Sequence, residues 1–439
     1  MKIFLCCGIS LYSYYVKGLK VKTTFAVILV LTGLVFSNVF GSVTIKNTFP
    51  KIAGMNIGAK NFEDSSYQND LSRCDIVILG FTRGWKRGGI TPKSVVASLK
   101  EKNPYLLAGM YTILNEAYDD TSSAAVNKDV ADILYKQNWW LHDSTAKKVQ
   151  WTTAYSSWEI NFTEFTQPDS KGRRYPQWLA ERNYGLYFND IPFDIWYFDN
   201  VMSRPRTHGN YNLVGRNNNP NDPNVQTAFR RGMAAEWTRA RELKPDIIFM
   251  GNPDGDLSEP EYVKKLNGAF LEGQMGLSWS IEKNAGWNKM MQNYHSVISN
   301  TLDPKLVIFN VQGNKGNYKF MRYALTSTLM DDGYFCFTDT AKGYSSIPWF
   351  DEYNANLGVS IDEPQFKAWQ KGVYCRKFEN GMVLVNPKGN GMQSVNVGSG
   401  YKRLQGSQDV DINNGKPVVD NLTIPEADGI ILVKMSSSH

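Results

Sequence analysis

The segment Phe193-Asp194-Ile195-Trp196-Tyr197-Phe198-Asp199-Asn200 is apolar almost throughout and ends abruptly in Asp-Asn. Such a run is the pattern of a strand buried on both faces. Strands of this type belong to parallel sheets covered by helices. A carboxylate at the C-terminal end of one stands where a parallel α/β barrel builds its functional site. Ala269-Phe270-Leu271-Glu272-Gly273-Gln274 repeats the theme.

The 439 residues exceed one typical domain, although a barrel alone takes ~250 or more. From about residue 50, short apolar runs alternate with helical patterns. The runs are Ile52–Ile57, Asp75–Phe81, Tyr105–Tyr111, Phe193–Asp199, Ile247–Met250, Ala269–Glu272, Leu306–Val311 and Tyr334–Thr338. Thr91-Pro92 opens one helix as N-cap and first residue, and Asn103-Pro104 closes it. Asp222-Pro223 opens another, with an apolar face at Val225, Phe229, Met233, Trp237 and Ala240. This alternation predicts a (β/α)8 TIM barrel over residues 50–360. The alternative, an open doubly wound sheet, lacks its glycine fingerprint. Trp158–Thr163 is a possible ninth strand, read here as part of an excursion between the third and fourth strands together with Trp139–Trp151.

Helical spacing fades beyond Trp369. Val373–Phe378 and Met382–Val385 flank Glu379-Asn380-Gly381, a hairpin signal. Turns follow at Lys388–Gly391 and Asn413–Gly415, and a last apolar run spans Gly429–Lys434. Residues 361–435 therefore read as a C-terminal all-β sandwich domain.

At the other end, Lys17, Lys20 and Lys22 precede an apolar stretch from Phe25 to Phe36 and then small residues up to Gly41. That order is a secretory signal peptide over 1–41, too short in its apolar core for a comfortable membrane span. It predicts a secreted or periplasmic protein, with an uncleaved anchor as the alternative. Four of the lysines behind the net charge of +6 (Lys2, Lys17, Lys20 and Lys22) lie in that segment, leaving about +2. So small a charge gives no footprint for nucleic acid. Processing also removes Cys6 and Cys7. Cys74, Cys336 and Cys375 remain, an odd set without CxxC spacing, so no disulfide framework is expected.

Asp199 and Glu272, each ending a buried strand, are the minimum apparatus for acid/base cleavage of a glycosidic bond. Asp339, after Phe335-Cys336-Phe337-Thr338, is a third strand-end acid able to bind a substrate hydroxyl. Other strand ends supply Asn56, Arg83, Tyr111, Asn252 and Asn310, a set suited to a polyol, and Asn200 can donate to the neighbouring anion. The loop Ser203–Asp222 carries Arg204, Arg206, His208 and Arg216. Together with Lys86 and Arg87, it raises the prospect of an anionic sugar. Neither a metal nor a cofactor is expected. His142, His208, His295 and His439 lack zinc spacing, no GxSxG elbow occurs, and Asp254-Gly255-Asp256 reads as a turn. Asn161 and Asn421 fall in glycosylation sequons.

Several of these segments together resemble the hypothetical glycosyl hydrolase family fifteen. They are Lys51–Asn56, Ile78–Phe81 with Arg83-Gly84-Trp85, Trp196–Val201, Pro348–Tyr353 and Val383–Pro387, and the resemblance runs from Lys51 to about Lys434. It implies a barrel plus a small C-terminal β-domain and a hydrolase activity. A looser likeness, through a strand ending in Asp-Asn, is to the endo-polygalactosaminidase-like barrel group.

The expected mechanism uses Asp199 as nucleophile or base and Glu272 as general acid, kept protonated by burial and the neighbouring anion. The substrate would be a polysaccharide or oligosaccharide. Two other classes compete. One is a barrel that binds saccharide without cutting it, its strand-end acids tied up in salt bridges. The other is a polysaccharide lyase, with Tyr111 as base and Arg83 neutralising a uronate.

Overall fold

The computed structural model describes residues 43–435, apart from 59–61, 86–88, 254–261 and 263. The expected signal segment 1–41, His439, Lys86, Arg87 and the Asp254–Asp256 turn lie outside the described residues.

Eight parallel strands form one sheet in chain order: β1 (Ala53–Asn56), β2 (Ile76–Leu79), β3 (Leu107–Ile113), β6 (Ile195–Val201), β7 (Ile248–Pro253), β8 (Gly268–Met275), β9 (Leu306–Gly313) and β10 (Tyr334–Asp339). The two edges meet through one parallel bridge, Ile52 to Phe335, where Phe335 N–H donates to Lys51 O at 2.9 Å. The sheet is therefore a nearly closed barrel, as the strand–helix alternation predicts. Between β3 and β6 runs the excursion, with β4 (Glu116–Tyr118) and β5 (Ser157–Glu159) paired antiparallel outside the barrel sheet. Trp158 thus belongs to the excursion and not to a ninth barrel strand.

Helix ends follow local chemistry. In Pro92–Lys102 the Thr91 hydroxyl accepts from Ser94 N–H at 3.2 Å and the Ser94 hydroxyl accepts from Thr91 N–H at 3.0 Å, a reciprocal cap. Asp222 caps Pro223–Leu243 by accepting from Asn224 N–H at 2.9 Å. The face Val225, Phe229, Met233, Trp237 and Ala240 is buried, each large side chain contributing roughly 1.5–3 kcal/mol of burial.

Beyond the barrel, β11 (Tyr374–Phe378), β12 (Gly381–Asn386), β14 (Tyr401–Arg403), β15 (Pro417–Val418) and β17 (Asp428–Lys434) make a five-stranded sheet, and β13 (Gln393–Asn396) pairs with β16 (Asn421–Ile424). The two sheets share one apolar cluster that includes Leu384, Val395, Leu422 and Leu432. The hairpin turn is Glu379-Asn380 alone, since Gly381 pairs with Phe378 inside the ladder. A Cβ at Gly381 would approach Leu432 O to 2.3 Å. This glycine is therefore set by close strand packing rather than by turn geometry. Arg322, on the barrel helix Tyr318–Thr328, is buried and reaches Asp428 at 3.2 Å and also Asp409. Gly429 lies against Thr326 so closely that a Cβ there would clash.

Cys74, Cys336 and Cys375 are free and buried. Asn161 is buried, its amide donating to Tyr211 O at 2.9 Å, so its sequon is inaccessible in the folded protein, whereas Asn421 is exposed. Among the described residues no helix is long and apolar enough to cross a membrane.

Candidate active site

Side chains alternate along each barrel strand between the interior and the helical layer. Met55, Ile78, Ile195, Tyr197, Met250, Phe270, Ile308 and Cys336 fill the interior. The next residues of that parity are Asp199 on β6, Asn252 on β7, Glu272 on β8, Asn310 on β9 and Thr338 on β10, with Tyr111 beside them on β3. Consecutive strands thus each add one polar side chain at the C-terminal mouth, above an apolar plug.

These groups are linked. Asn252 Nδ2 donates to Asp199 Oδ1 at 2.9 Å and to Glu272 Oε2 at 3.2 Å. Tyr111 donates its hydroxyl to the other Asp199 oxygen at 2.5 Å, and Tyr344 donates to Glu272 Oε1 at 2.5 Å. Tyr344 itself accepts from Gln312 Nε2 at 3.2 Å, and its carbonyl accepts from Ile57 N–H and Gly58 N–H, both at 3.0 Å. The loop after β10 is thereby pinned to the loop after β1. Behind Glu272, Asn310 accepts from Gly273 N–H at 3.1 Å and donates to Thr338 Oγ1 at 3.0 Å.

Both acids stand at irregularities of the ladder, which shifts register between Phe198 and Val201 and between Leu271 and Met275. The residue after each acid is left-handed, Asn200 at φ 52° and Gly273 at φ 59°. Bulges at such places re-aim side chains, and Asn tolerates this conformation better than most residues. At Gly273 a Cβ would also come within 2.4 Å of the exposed Trp279 ring. The close approach that this glycine permits is therefore one by Trp279.

Burial pushes the Asp199 carboxyl up, opposed by Tyr111, Asn252 and the Asn200 backbone N–H. This departs from the sequence expectation of an acid simply held ionised by Asn200, because the site is drier than a strand end suggests. Burial, then the charge of Asp199, pushes the Tyr111 phenol well above its ordinary value, and Tyr344 moves the same way through burial and Glu272.

The remaining sequence candidates are placed differently. Asn56 follows Met55, and Asp339 continues the parity of Phe335 and Phe337, so both are buried on the helix-facing side of their strands. One residue of offset reverses the face. Arg83 donates to Asp129 at 2.9 Å. Arg206 bridges Glu116 at 2.5 Å and Glu159 at 2.8 Å with Trp151 against its guanidinium, and Arg204 donates to Asn221 at 3.0 Å. Tyr344 and Gln312 carry no sequence signal that the strand pattern exposes. No group of three His, Cys, Asp or Glu able to hold a metal occurs among the described residues.

Residues 105–382 match the model of hypothetical glycosyl hydrolase family 15. No curated protein matches the sequence. Solved structures with a similar fold include the glycoside hydrolase domain of PelA from Pseudomonas aeruginosa, at 14% identity over 71% of this chain and 98% of that one, TM-score 0.43. An alpha-amylase from Lactobacillus plantarum aligns at 10% identity over 88% of this chain and 99% of its own, TM-score 0.49. The alpha-galactosidase AgaA from Geobacillus stearothermophilus aligns at 8% identity over 89% of this chain and 56% of its own, TM-score 0.45.

Proposed function

The chain belongs to hypothetical glycosyl hydrolase family 15, and from that membership we propose that it cuts O-glycosidic bonds of a neutral polysaccharide or oligosaccharide, with Asp199 and Glu272 as the working carboxylates. The observation that carries this reading is the Asn252 amide shared by both acids at 2.9 and 3.2 Å. A single nitrogen in contact with one oxygen of each acid brings the two carboxyl groups close together, as retaining enzymes require. The spacing favours a retaining reaction through a covalent glycosyl-enzyme.

In that reaction Asp199 is the nucleophile. Its three donors fix the carboxylate and favour its ionised form against the cost of burial. Glu272 protonates the leaving oxygen and then takes a proton from the attacking water. Tyr111 and Tyr344 hold the outer oxygens of the two acids.

The rivals fare worse. A bystander acid pair should sit in salt bridges, yet the donors to these carboxylates are tyrosine hydroxyls, an amide and a backbone N–H. A lyase needs a base, and Tyr111 is a phenol pushed upward that donates to Asp199. A neutral sugar is favoured because Arg83 and Arg206 are already committed to protein carboxylates. We further propose that residues 1–41 direct export, as their basic, apolar, small order suggests.

Activity is tested by reducing-end release from a panel of neutral and uronate-containing polysaccharides, with Asp199→Ala as control. Retained anomeric configuration in the first product, followed by NMR, supports the mechanism. Inversion, or equal activity in the control, overturns it.

A further inference from the structure

A cavity of about 580 Å³ opens beside the acid pair, lined among others by Phe81, Arg83, Tyr111, Tyr118, Glu116 and Arg182. Neither Asp199 nor Glu272 lines it, but Tyr111 joins it to the site through the hydroxyl that holds Asp199. Its volume falls within the ~300–1,000 Å³ of ordinary ligand pockets.

Phe81, two residues past the end of β2, adopts a left-handed backbone at φ 53° and is 45% exposed. A bulky residue in that conformation costs on the order of 1–2 kcal/mol. Glycine would fit the turn without strain and without exposed apolar surface. The position carries instead an aromatic face whose ring lies 5.7 Å from that of Tyr111. Polar groups of the same lining are held in place. Arg182 donates to Asn127 at 2.9 Å and to Asp129 at 3.1 Å, and Arg83 donates to the same two residues through Nη1. Arg83 also lines the cavity, and its guanidinium carries N–H groups beyond those two bonds. Glu116 is matched by Arg206.

We propose that this cavity is a saccharide subsite, receiving neutral sugar units one or more positions from the bond cut at Asp199, with Phe81 as its stacking platform and Arg83 as a hydroxyl donor. The proposal rests on the hydrolase reading above. An aromatic face paired with N–H donors suits a sugar ring, which offers C–H bonds on its faces and hydroxyls around its rim.

The test uses the full chain carrying Asp199→Asn, so that ligands bind without turnover, and calorimetry with malto-, cello- and chito-oligosaccharides of two to six units. Affinity for the matching series should rise about tenfold from dimer to hexamer. Adding Phe81→Gly, which keeps the left-handed turn and removes the ring, should abolish most of that rise and leave dimer binding unchanged. Ala125→Trp, which narrows the cavity from another wall, should do the same. A length dependence that survives both changes overturns the subsite and leaves the hydrolase reading intact. Equal weakening of dimer and hexamer by Phe81→Gly also overturns it, since Phe81 would then act through Tyr111. If no oligosaccharide is bound by Asp199→Asn or cut by the wild type, the hydrolase reading fails and the subsite with it.

Discussion

Asp199 and Glu272 are tied to each other through a single nitrogen, Nδ2 of Asn252, which donates to one oxygen of each. An amide bears two hydrogens, so one side chain fixes both acids and sets their spacing. The side chains that donate to them among the described residues are neutral: two phenols and one amide.

Removing the acids should separate their roles. Asp199→Ala should lower kcat on the order of 10³-fold or more on every substrate, because the attacking group is needed whatever the leaving group. Glu272→Ala should largely spare the first step on activated aryl glycosides, whose leaving groups need no proton. Pre-steady-state rates of both variants on activated and unactivated aryl glycosides check this, and the opposite pattern would mean that the roles are exchanged.

Asn252→Ala should lower kcat/KM by roughly 10- to 100-fold. It should also move the acidic limb of the pH–rate profile upward. The Asn252 hydrogen bond favours ionised Asp199, so its loss raises that carboxyl further, and activity needing the anion begins at higher pH. An unmoved acidic limb would show that the amide does not govern the ionisation of Asp199.

Arg206 and Arg204 look alike in sequence and differ in place. Arg206→Ala leaves buried Glu159 and part-buried Glu116 without their cation, and should cost about 3–5 kcal/mol of stability. Arg204, which donates to the exposed Asn221 amide, should be replaceable within about 0.5 kcal/mol. Urea denaturation of both variants measures the difference.

Glu236 gives a pH signature. It is fully buried on the helix Pro223–Leu243, and burial pushes its carboxyl up to about 8. In the unfolded chain it titrates near ~4.3. Between those values the folded state keeps a proton that the unfolded state has lost, so stability falls as pH rises through the window and stays lowered above it. Glu236→Gln should match the wild type near pH 4 and exceed it at pH 9, by on the order of 3–5 kcal/mol. Melting curves at the two pH values suffice.

Much of this was legible in the residues. The strand at Phe193–Asp199 and the capped helices at Thr91 and Asp222 follow from local pattern and capping chemistry, and the structure has them where those signals lie. Asp199, Glu272, Asn252 and Tyr111 were visible because a strand end is a sequence feature. Parity was harder to read. Asn56 and Asp339 also end strands, yet they sit one residue out of phase with Met55 and Thr338 and so face the helices. The fates of Arg83 and Arg206 depend on carboxylates 46 and 47 residues away in the chain, and Tyr344 reaches a partner 72 residues away. Contacts at such separations leave no local trace.

The Arg322 clasp and the fit of Gly429 against Thr326 bear on how such a chain can be cut and recombined. The C-terminal sheets share a wall with the barrel helix between β9 and β10, so they are not a detachable module. A chain ending at residue 360 would strand a buried guanidinium and bare the outer face of that helix. It should behave as a destabilised fragment rather than a smaller enzyme. Transplanting the sheets onto another barrel would need a matching arginine, and a threonine that leaves room for no side chain opposite it.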